Sequence, residues 1–266
     1  MQLTTLIENY VEQKSLLAEH GLSMLIDTGA KNILFDTGQT DKFLLNAKSL
    51  GIDVVDIDYV VLSHGHYDHT GGLYPFLKAN KKATIICKKE VFEGKYNDAG
   101  KFIGTLWQED LLKERTIFID KITELTPGVF IVPDITIHHP LDTHFEGLKK
   151  MTDNGLVPDD MQDELFIAIL FENKMNILTA CSHNGISNIC RTASDIFKLP
   201  VATVTGGFHL RHCSADQYNF LVKYFQKMPD TILGTCHCTG VEKFSKLQRD
   251  LENPVFYNYT GKCINF

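Results

Sequence analysis

The sequence lacks the features that mark membrane, secreted and disulfide-bonded proteins. Among its 266 residues, 44% of them hydrophobic, no apolar run approaches the length that a membrane span needs, which is about 20 residues. The N-terminus has neither the basic nor the apolar region of a signal peptide. Its seven cysteines are an odd number in a chain large enough to bury a core without disulfides, so reduced thiols are predicted. We therefore expect a cytoplasmic protein with no membrane partner.

Basic runs, low-complexity linkers and internal repeats are also missing. The net charge is −7 and the pI is about 5.9, and no run of Lys or Arg is long enough to line a groove for nucleic acid. We therefore predict a small-molecule substrate and no nucleic-acid partner. Because no linker divides the chain, a single domain over residues 1–266 is predicted, with an irregular excursion or lid at about 88–163. The sequence leaves the oligomeric state open.

Short apolar runs that end in His and Gly occur four times. They end near residues 62, 180, 206 and 234, and each gives way to a segment with helical spacing of apolar residues. This alternation of strands and helices predicts a layered α/β (α+β) fold. Several strand ends are expected to converge on one edge, where a site would be formed.

The first of these strand ends carries the densest cluster of ionisable side chains. Three imidazoles and a carboxylate lie within six positions, at His64, His66, Asp68 and His69. Burying such a cluster without a metal would be costly. One ion takes three or four ligands at about 2.0–2.2 Å, so four donors from one loop indicate two adjacent ions. The best candidates for the remaining ligands are two histidines at other strand ends beside glycine, His183 and His237.

The predicted donors favour zinc, as one or two ions, with iron and manganese as alternatives, because most of them are imidazoles. Zinc lowers the pKa of a bound water from about 15.7 to about 7, which supplies a hydroxide nucleophile near neutral pH. Asp68 would orient that water or bind the second ion, and His209 is the candidate for contacting the leaving group. These residues predict a metal-dependent hydrolase that uses a metal-bound hydroxide on a small phosphorylated or ester substrate.

The spacing His-x-His-x-Asp-His resembles the signature of the metallo-β-lactamase superfamily, as do Asp36-Thr37-Gly38 before it and Gly71-Gly72 after it. Four further segments are similar to the branch named for 7,8-dihydropterin-6-ylmethyl-4-(β-D-ribofuranosyl)aminobenzene 5′-phosphate synthase. They are Glu19-His20-Gly21-Leu22-Ser23, Cys181-Ser182-His183-Asn184-Gly185, Gly206-Gly207-Phe208-His209-Leu210 and His237-Cys238-Thr239-Gly240.

The resemblance implies a four-layer αββα sandwich with two metal sites. One site would take His64, His66 and His183, and the other would take Asp68, His69 and His237. The reaction for which the branch is named joins a dihydropterin methyl diphosphate to an aryl amine and releases diphosphate. A dihydropterin-methyl transferase is therefore the alternative to a hydrolase. A catalytically inert metal-binding sensor or scaffold is a second alternative.

Two departures from the superfamily pattern bear on the metal ligands. The superfamily commonly has Gly-Asp after the second strand of a hairpin, with the carboxylate bridging two ions, whereas this chain has Ala180-Cys181-Ser182-His183. Because a histidine cannot bridge two ions as a carboxylate does, either the two sites differ in affinity or Cys181 contributes a thiolate ligand. A histidine expected before the hairpin is also missing, and Asp163 is a candidate oxygen ligand there. Cys236 and Cys238 flank His237 in a segment predicted to be extended, where neighbouring side chains point to opposite sides, so we expect both to be packing thiols.

Overall fold

The computed structural model describes residues 1–266, which fold into two units. Unit 1 consists of Met1–Asp120, Phe145–Glu164 and Tyr259–Phe266, and unit 2 consists of Lys121–His144 and Leu165–Asn258. Each unit therefore combines segments that are distant in the chain. None of the helices has both the length and the apolar character needed to cross a lipid bilayer.

Strands and helices alternate along most of the chain. The strands are β1 (Gln2–Ile7), β2 (Ser23–Asp27), β3 (Asn32–Phe35), β4 (Tyr59–Val61), β5 (Thr84–Cys87), β6 (Lys95–Asn97), β7 (Thr116–Phe118), β8 (Thr123–Thr126), β9 (Val129–Val132), β10 (Leu148–Thr152), β11 (Gly155–Pro158), β12 (Phe166–Phe171), β13 (Lys174–Leu178), β14 (Val201–Gly206), β15 (Ile232–Thr235), β16 (Val255–Tyr257) and β17 (Cys263–Asn265). The α-helices are α1 (Lys42–Ser49), α2 (Tyr67–Thr70), α3 (Leu73–Ala79), α4 (Glu109–Leu112), α5 (Ile186–Phe197), α6 (Ala215–Phe225) and α7 (Val241–Asp250).

Unit 1 contains a seven-stranded sheet of order β17-β1-β2-β3-β4-β5-β7 and a three-stranded sheet of order β11-β10-β6. Strands β3, β4, β5 and β7 run parallel. Apolar side chains of β3, β4 and β5 pack with Phe43 of α1 and Phe76 of α3 in one buried cluster. Because the carboxyl ends of parallel strands meet at one edge, the residues that follow β3 and β4 lie side by side.

Unit 2 contains a seven-stranded sheet of order β16-β15-β14-β13-β12-β9-β8. Strands β13 to β16 run parallel. Leu178 pairs with Thr205 and Gly206 with Thr235, so β13, β14 and β15 end at nearly the same level. Helix α5 buries Ile186, Ile189 and Ala193, whose three- and four-residue spacing puts them on one face. This register places three strand ends together at one edge of the sheet.

The predicted α/β class is confirmed, and the segment at about 88–163 is not irregular throughout. That segment contains β6 to β11, and β10 pairs with both β11 and β6. Strand β6 pairs with β10, which is distant in the chain, so the local pattern of glycines and charges does not predict β6. The single domain and the lid stay predictions.

Candidate metal centre

The histidine cluster of unit 1 follows β4 directly and forms a buried loop, here called the ligand loop (residues 64–69). Nε2 of His64 lies 3.1 Å from Nδ1 of His66, close to the separation of about 3.3 Å expected for two nitrogens on one tetrahedral zinc ion. Burial lowers the pKa of His66 to about 4, so this imidazole is neutral at neutral pH. Neutral imidazole is the form that binds metals, and the loop therefore fits a metal ion.

Asp36, at the end of β3, orients the ligand loop. Its Oδ2 lies 2.7 Å from Nδ1 of His69, and its two oxygens accept hydrogen bonds from the backbone and the hydroxyl of Ser63. The Ser63 hydroxyl lies in turn 2.8 Å from Nδ1 of His64. His64 and His69 both use Nδ1 for support, which directs Nε2 to a metal, as in many metal sites. The resemblance around Asp36 is the one sequence signal for this role.

A buried ion-pair network holds the middle of the ligand loop. Oδ2 of Asp163 accepts the backbone N–H of Gly65 at 2.7 Å, and Lys95 Nζ lies 2.8 Å from Oδ1 of Asp163 and 2.8 Å from Oδ2 of Asp159. Burial by itself lowers the pKa of Lys95, but the two carboxylates raise it above its ordinary value. Both oxygens of Asp163 have donors within unit 1, which argues against Asp163 as a metal ligand.

Asp68 lies where the ligand loop meets solvent. Its Oδ2 is 3.2 Å from Nε2 of His20 and 3.9 Å from Nε2 of His69. His69 is fully buried, whereas 49% of the His20 side chain is exposed. The carboxylate thus connects a buried imidazole with one that is open to water. Glycine is required at position 65, because a Cβ there would lie 2.3 Å from the carbonyl oxygen of Val91.

Unit 2 collects its donors from the ends of three adjacent parallel strands. Strand β13 is followed by Cys181 and His183, β14 by His209, and β15 by His237 and Cys238. One donor atom each from Cys181, His183 and His209 lie within 4.8 Å of one another. The donor atoms of Cys181, His237 and Cys238 also lie within 4.8 Å of one another. The structure thus assembles two donor groups in this unit, and Cys181 belongs to both.

The turns that carry these donors have unusual backbone conformations. Ser182, His209 and His237 have φ values of 56°, 51° and 52°, a left-handed conformation that costs a residue other than glycine about 1–2 kcal/mol. Such residues are concentrated at functional sites. The Ser182 hydroxyl donates to the carbonyl oxygen of Gly207 at 2.7 Å, which ties the turn after β13 to the turn after β14.

The extended conformation predicted around Cys238 is wrong because of the same backbone feature. The strand ends at Thr235, and His237–Thr239 form a 3₁₀-helix in place of the extended segment that was predicted. Because the chain turns at His237, the Cys238 thiol lies within 4.8 Å of a donor atom of His237. Burial raises the pKa of this thiol, but its contact with Cys181 and the nearby imidazoles of His209 and His237 lower the pKa well below its ordinary value. Cys236 is buried and belongs to neither donor group.

The sequence missed His144, which joins the imidazoles of unit 2. Its ring centroid lies 4.9 Å from that of His209, and the centroids of His209 and His183 are 4.4 Å apart. Its backbone N–H donates to the carbonyl oxygen of His183 at 2.8 Å. Burial, reinforced by His209, lowers the pKa of His144 to about 4. It lies in a loop outside any apolar pattern, so the sequence offers no signal for it.

Comparisons of the sequence with protein families and with known proteins agree on one superfamily. A model of the metallo-β-lactamase superfamily matches residues 17–148. Across all of this chain and 97% of the other, the sequence is 31% identical to 7,8-dihydropterin-6-methyl-4-(beta-D-ribofuranosyl)-aminobenzene-5'-phosphate synthase of Methanocaldococcus jannaschii. Uncharacterized protein MJ0448 of the same organism is 32% identical over 94% of this chain and 95% of its own.

A solved structure agrees with these sequence matches. The crystal structure of Tm1679, a metal-dependent hydrolase of the beta-lactamase superfamily, has a TM-score of 0.88 and 29% identity to this chain, and the match covers 100% of this chain and 99% of that one. The metallo-beta-lactamase fold protein YhfI from Bacillus subtilis shares the fold, with a TM-score of 0.61 and 17% identity. That match covers 99% of this chain and 98% of YhfI. The predicted fold and the resemblance are confirmed, and the chain belongs to the metallo-β-lactamase superfamily.

Proposed function

We propose that the protein is a metal-dependent hydrolase of a small phosphorylated or ester substrate. The observation that carries the proposal is the ligand loop, where Nε2 of His64 and Nδ1 of His66 lie 3.1 Å apart and Nδ1 of His69 is supported by Asp36. The residues that would bind metal are His64, His66, Asp68 and His69 in unit 1 and His183 and His237 in unit 2. Zinc is the first choice, with iron and manganese as alternatives.

A bound divalent ion supplies Lewis acidity, which activates a nucleophile and stabilises negative charge on a phosphate or carbonyl oxygen. The chain's own residues supply positioning and proton transfer. Besides binding metal, Asp68 would hold the nucleophile and accept the proton that the nucleophile loses. Its carboxylate suits this role because it contacts both buried His69 and half-exposed His20. His209, in its row with His144 and His183, would contact the leaving group.

A transferase is the second candidate, and the full-length similarity to a synthase favours it. In that reaction the nitrogen of an aryl amine forms a bond to the methylene carbon of a dihydropterin methyl diphosphate, the carbon–oxygen bond breaks, and diphosphate and a proton leave. Hydrolysis and transfer would use the same residues and differ in whether water or the amine attacks. An inert metal-binding protein is the remaining alternative.

The test combines metal analysis with turnover of the purified protein. We expect at least one transition ion per chain and turnover of a bis-aryl phosphodiester, a lactone, a thioester or a dihydropterin methyl diphosphate. Release of diphosphate without the amine supports the hydrolase, and release only with the amine supports the transferase. Full metal occupancy without any turnover supports the inert protein. A chain that binds no transition ion would contradict all three alternatives.

Replacement of Asp68 by Asn tests the role of its carboxylate. We expect D68N to lower kcat by at least about 100-fold, the usual contribution of a positioned acid or base, while circular dichroism shows an unchanged fold. D58N is the matched control, because Asp58 precedes β4 and contacts Lys31 and the backbone of Asn32, away from the ligand loop. Full activity of D68N would rule out the assigned role.

A further inference from the structure

The sulfur of Cys181 belongs to two groups of side chains of the kinds that bind metals. Within 4.8 Å of it are donor atoms of His183 and His209 on one hand and of His237 and Cys238 on the other. The residue is buried, with 3% of its surface exposed. A donor that belongs to two groups is placed as a ligand shared by two ions would be.

The surrounding backbone fixes this position. The carbonyl oxygen of Cys181 accepts a hydrogen bond from the Cys238 thiol at 3.4 Å, and the preceding carbonyl, of Ala180, accepts the N–H of Gly207 at 2.9 Å. A Cβ on Gly207 would lie 2.5 Å from both the Ala180 oxygen and the Cys238 sulfur. Glycine at position 207 therefore allows the three strand ends to approach closely enough to bring the two thiols together.

The surroundings of Cys181 differ from those of the other buried cysteines. Cys87 and Cys190 lie in apolar clusters, where burial raises the pKa of each thiol well above its ordinary value. Such thiols stay protonated and unreactive. Cys181 lies instead among imidazoles and a second thiol, and a bound metal ion deprotonates a thiol that coordinates it.

We propose that the thiolate of Cys181 is a metal ligand common to both donor groups of unit 2, in the place where the superfamily commonly has a bridging carboxylate. Thiolate is a soft ligand that favours zinc and other thiophilic ions over magnesium and manganese. The sulfur would thus set the metal preference of the protein. The inference rests on the proposed function only in requiring that the chain binds metal.

Cobalt substitution tests the inference without measuring activity. Co²⁺ bound by thiolate gives an intense charge-transfer band in the near ultraviolet, which nitrogen and oxygen ligands do not give. We expect the band in the wild-type protein, in C238S at reduced intensity, and undiminished in two controls, C190S in the core and C263S at the surface. C181S should lose at least half of the intensity per bound ion.

Replacing Cys181 by Asp tests whether metal binding depends on the position of residue 181 or on its sulfur. We expect C181D to bind as many cobalt ions per chain as the wild type. Its charge-transfer band should be as weak, per bound ion, as that of C181S. C181A should bind fewer ions. Equal stoichiometry and equal band intensity in C181A and the wild type would overturn the proposal.

X-ray absorption of the zinc-loaded wild-type protein gives a readout that needs no variant. We expect a sulfur shell at about 2.3 Å. A shell made only of nitrogen and oxygen, in a protein that does bind zinc, would overturn the inference and leave the proposed function standing. A wild-type chain that binds neither zinc nor cobalt would overturn both.

Discussion

The two units prepare their donors in different ways. In unit 1 the donors lie within six consecutive positions, and buried charges hold them, through Asp36 and through Asp163 with Lys95. In unit 2 the donors come from three strand ends and include sulfur, and backbone contacts such as that of Gly207 hold them. A loop held by charges should respond strongly to changes of charge, whereas a set of strand ends should respond mainly to changes of shape.

The largest effect should follow removal of the buried lysine of unit 1. K95M leaves the carboxylates of Asp159 and Asp163 buried without their cation, and breaking a buried pair in this way costs about 3–5 kcal/mol. We expect urea denaturation to show a loss of this size in the free energy of unfolding. K113M is the control, because Lys113 pairs with Glu109 at the exposed surface, and its stability should match the wild type. Equal stability of K95M and K113M would contradict the view that buried charges hold the ligand loop of unit 1.

A pH effect of intermediate size should arise from Asp142 in unit 2. Burial raises the pKa of this carboxyl from 3.8 to about 6, against the hydrogen bonds from Ser187. A raised pKa means that the folded protein binds the proton more tightly, so stability falls as pH rises from about 4 to about 6, by about 3 kcal/mol. D142N, which mimics the protonated side chain, should lack this fall.

Denaturation midpoints at several pH values between 4 and 7 would measure the effect of D142N. Asp142 supports the first turn of α5 through the backbone and the hydroxyl of Ser187, and its Oδ1 lies 3.8 Å from Nε2 of His144. It contacts neither His183 nor His237 directly, so zinc affinity should stay close to that of the wild type. A loss of zinc affinity in D142N comparable with that expected for D36N would remove the distinction between the two units.

A smaller effect is expected from the carboxylate that orients the ligand loop. D36N removes the charge that accepts hydrogen bonds from Ser63 and supports Nδ1 of His69. Changes of this kind weaken metal binding by about 10- to 100-fold. Competition with a chelator would measure the zinc affinity, with D58N as the control. An unchanged affinity in D36N would show that the ligand loop needs no buried charge.

The sequence predicted those parts of the molecule that follow from local spacing. The strands before residues 62, 180, 206 and 234 and the helices after the last three were predictable because each signal lies within one segment. The positions of His64, His66 and His69 in one buried loop follow from the same spacing. Their roles as ligands stay predictions, as do those of His183 and His237.

The remaining features depend on contacts between distant segments. Lys95 lies in a strand that pairs with β10, and no local sequence pattern predicts that a lysine is buried there. The approach of Cys238 to His237 depends on a left-handed residue, with φ of 52° at His237, where alternation along a strand predicted the opposite. His144 joins His209 only through the path of a loop. Nonlocal pairing and exceptional backbone conformations are what the sequence pattern could not supply.

The hydrogen bond from Gly65 to Asp163 also has a consequence for biosynthesis. The two residues are 98 positions apart, and chains grow at about 5–20 residues per second, so roughly 5 to 20 s separate the synthesis of the histidines from that of their support. During that interval the histidines exist without the carboxylate that holds the loop. Metal binding by the completed loop must therefore come after synthesis of residue 163, late in the assembly of unit 1.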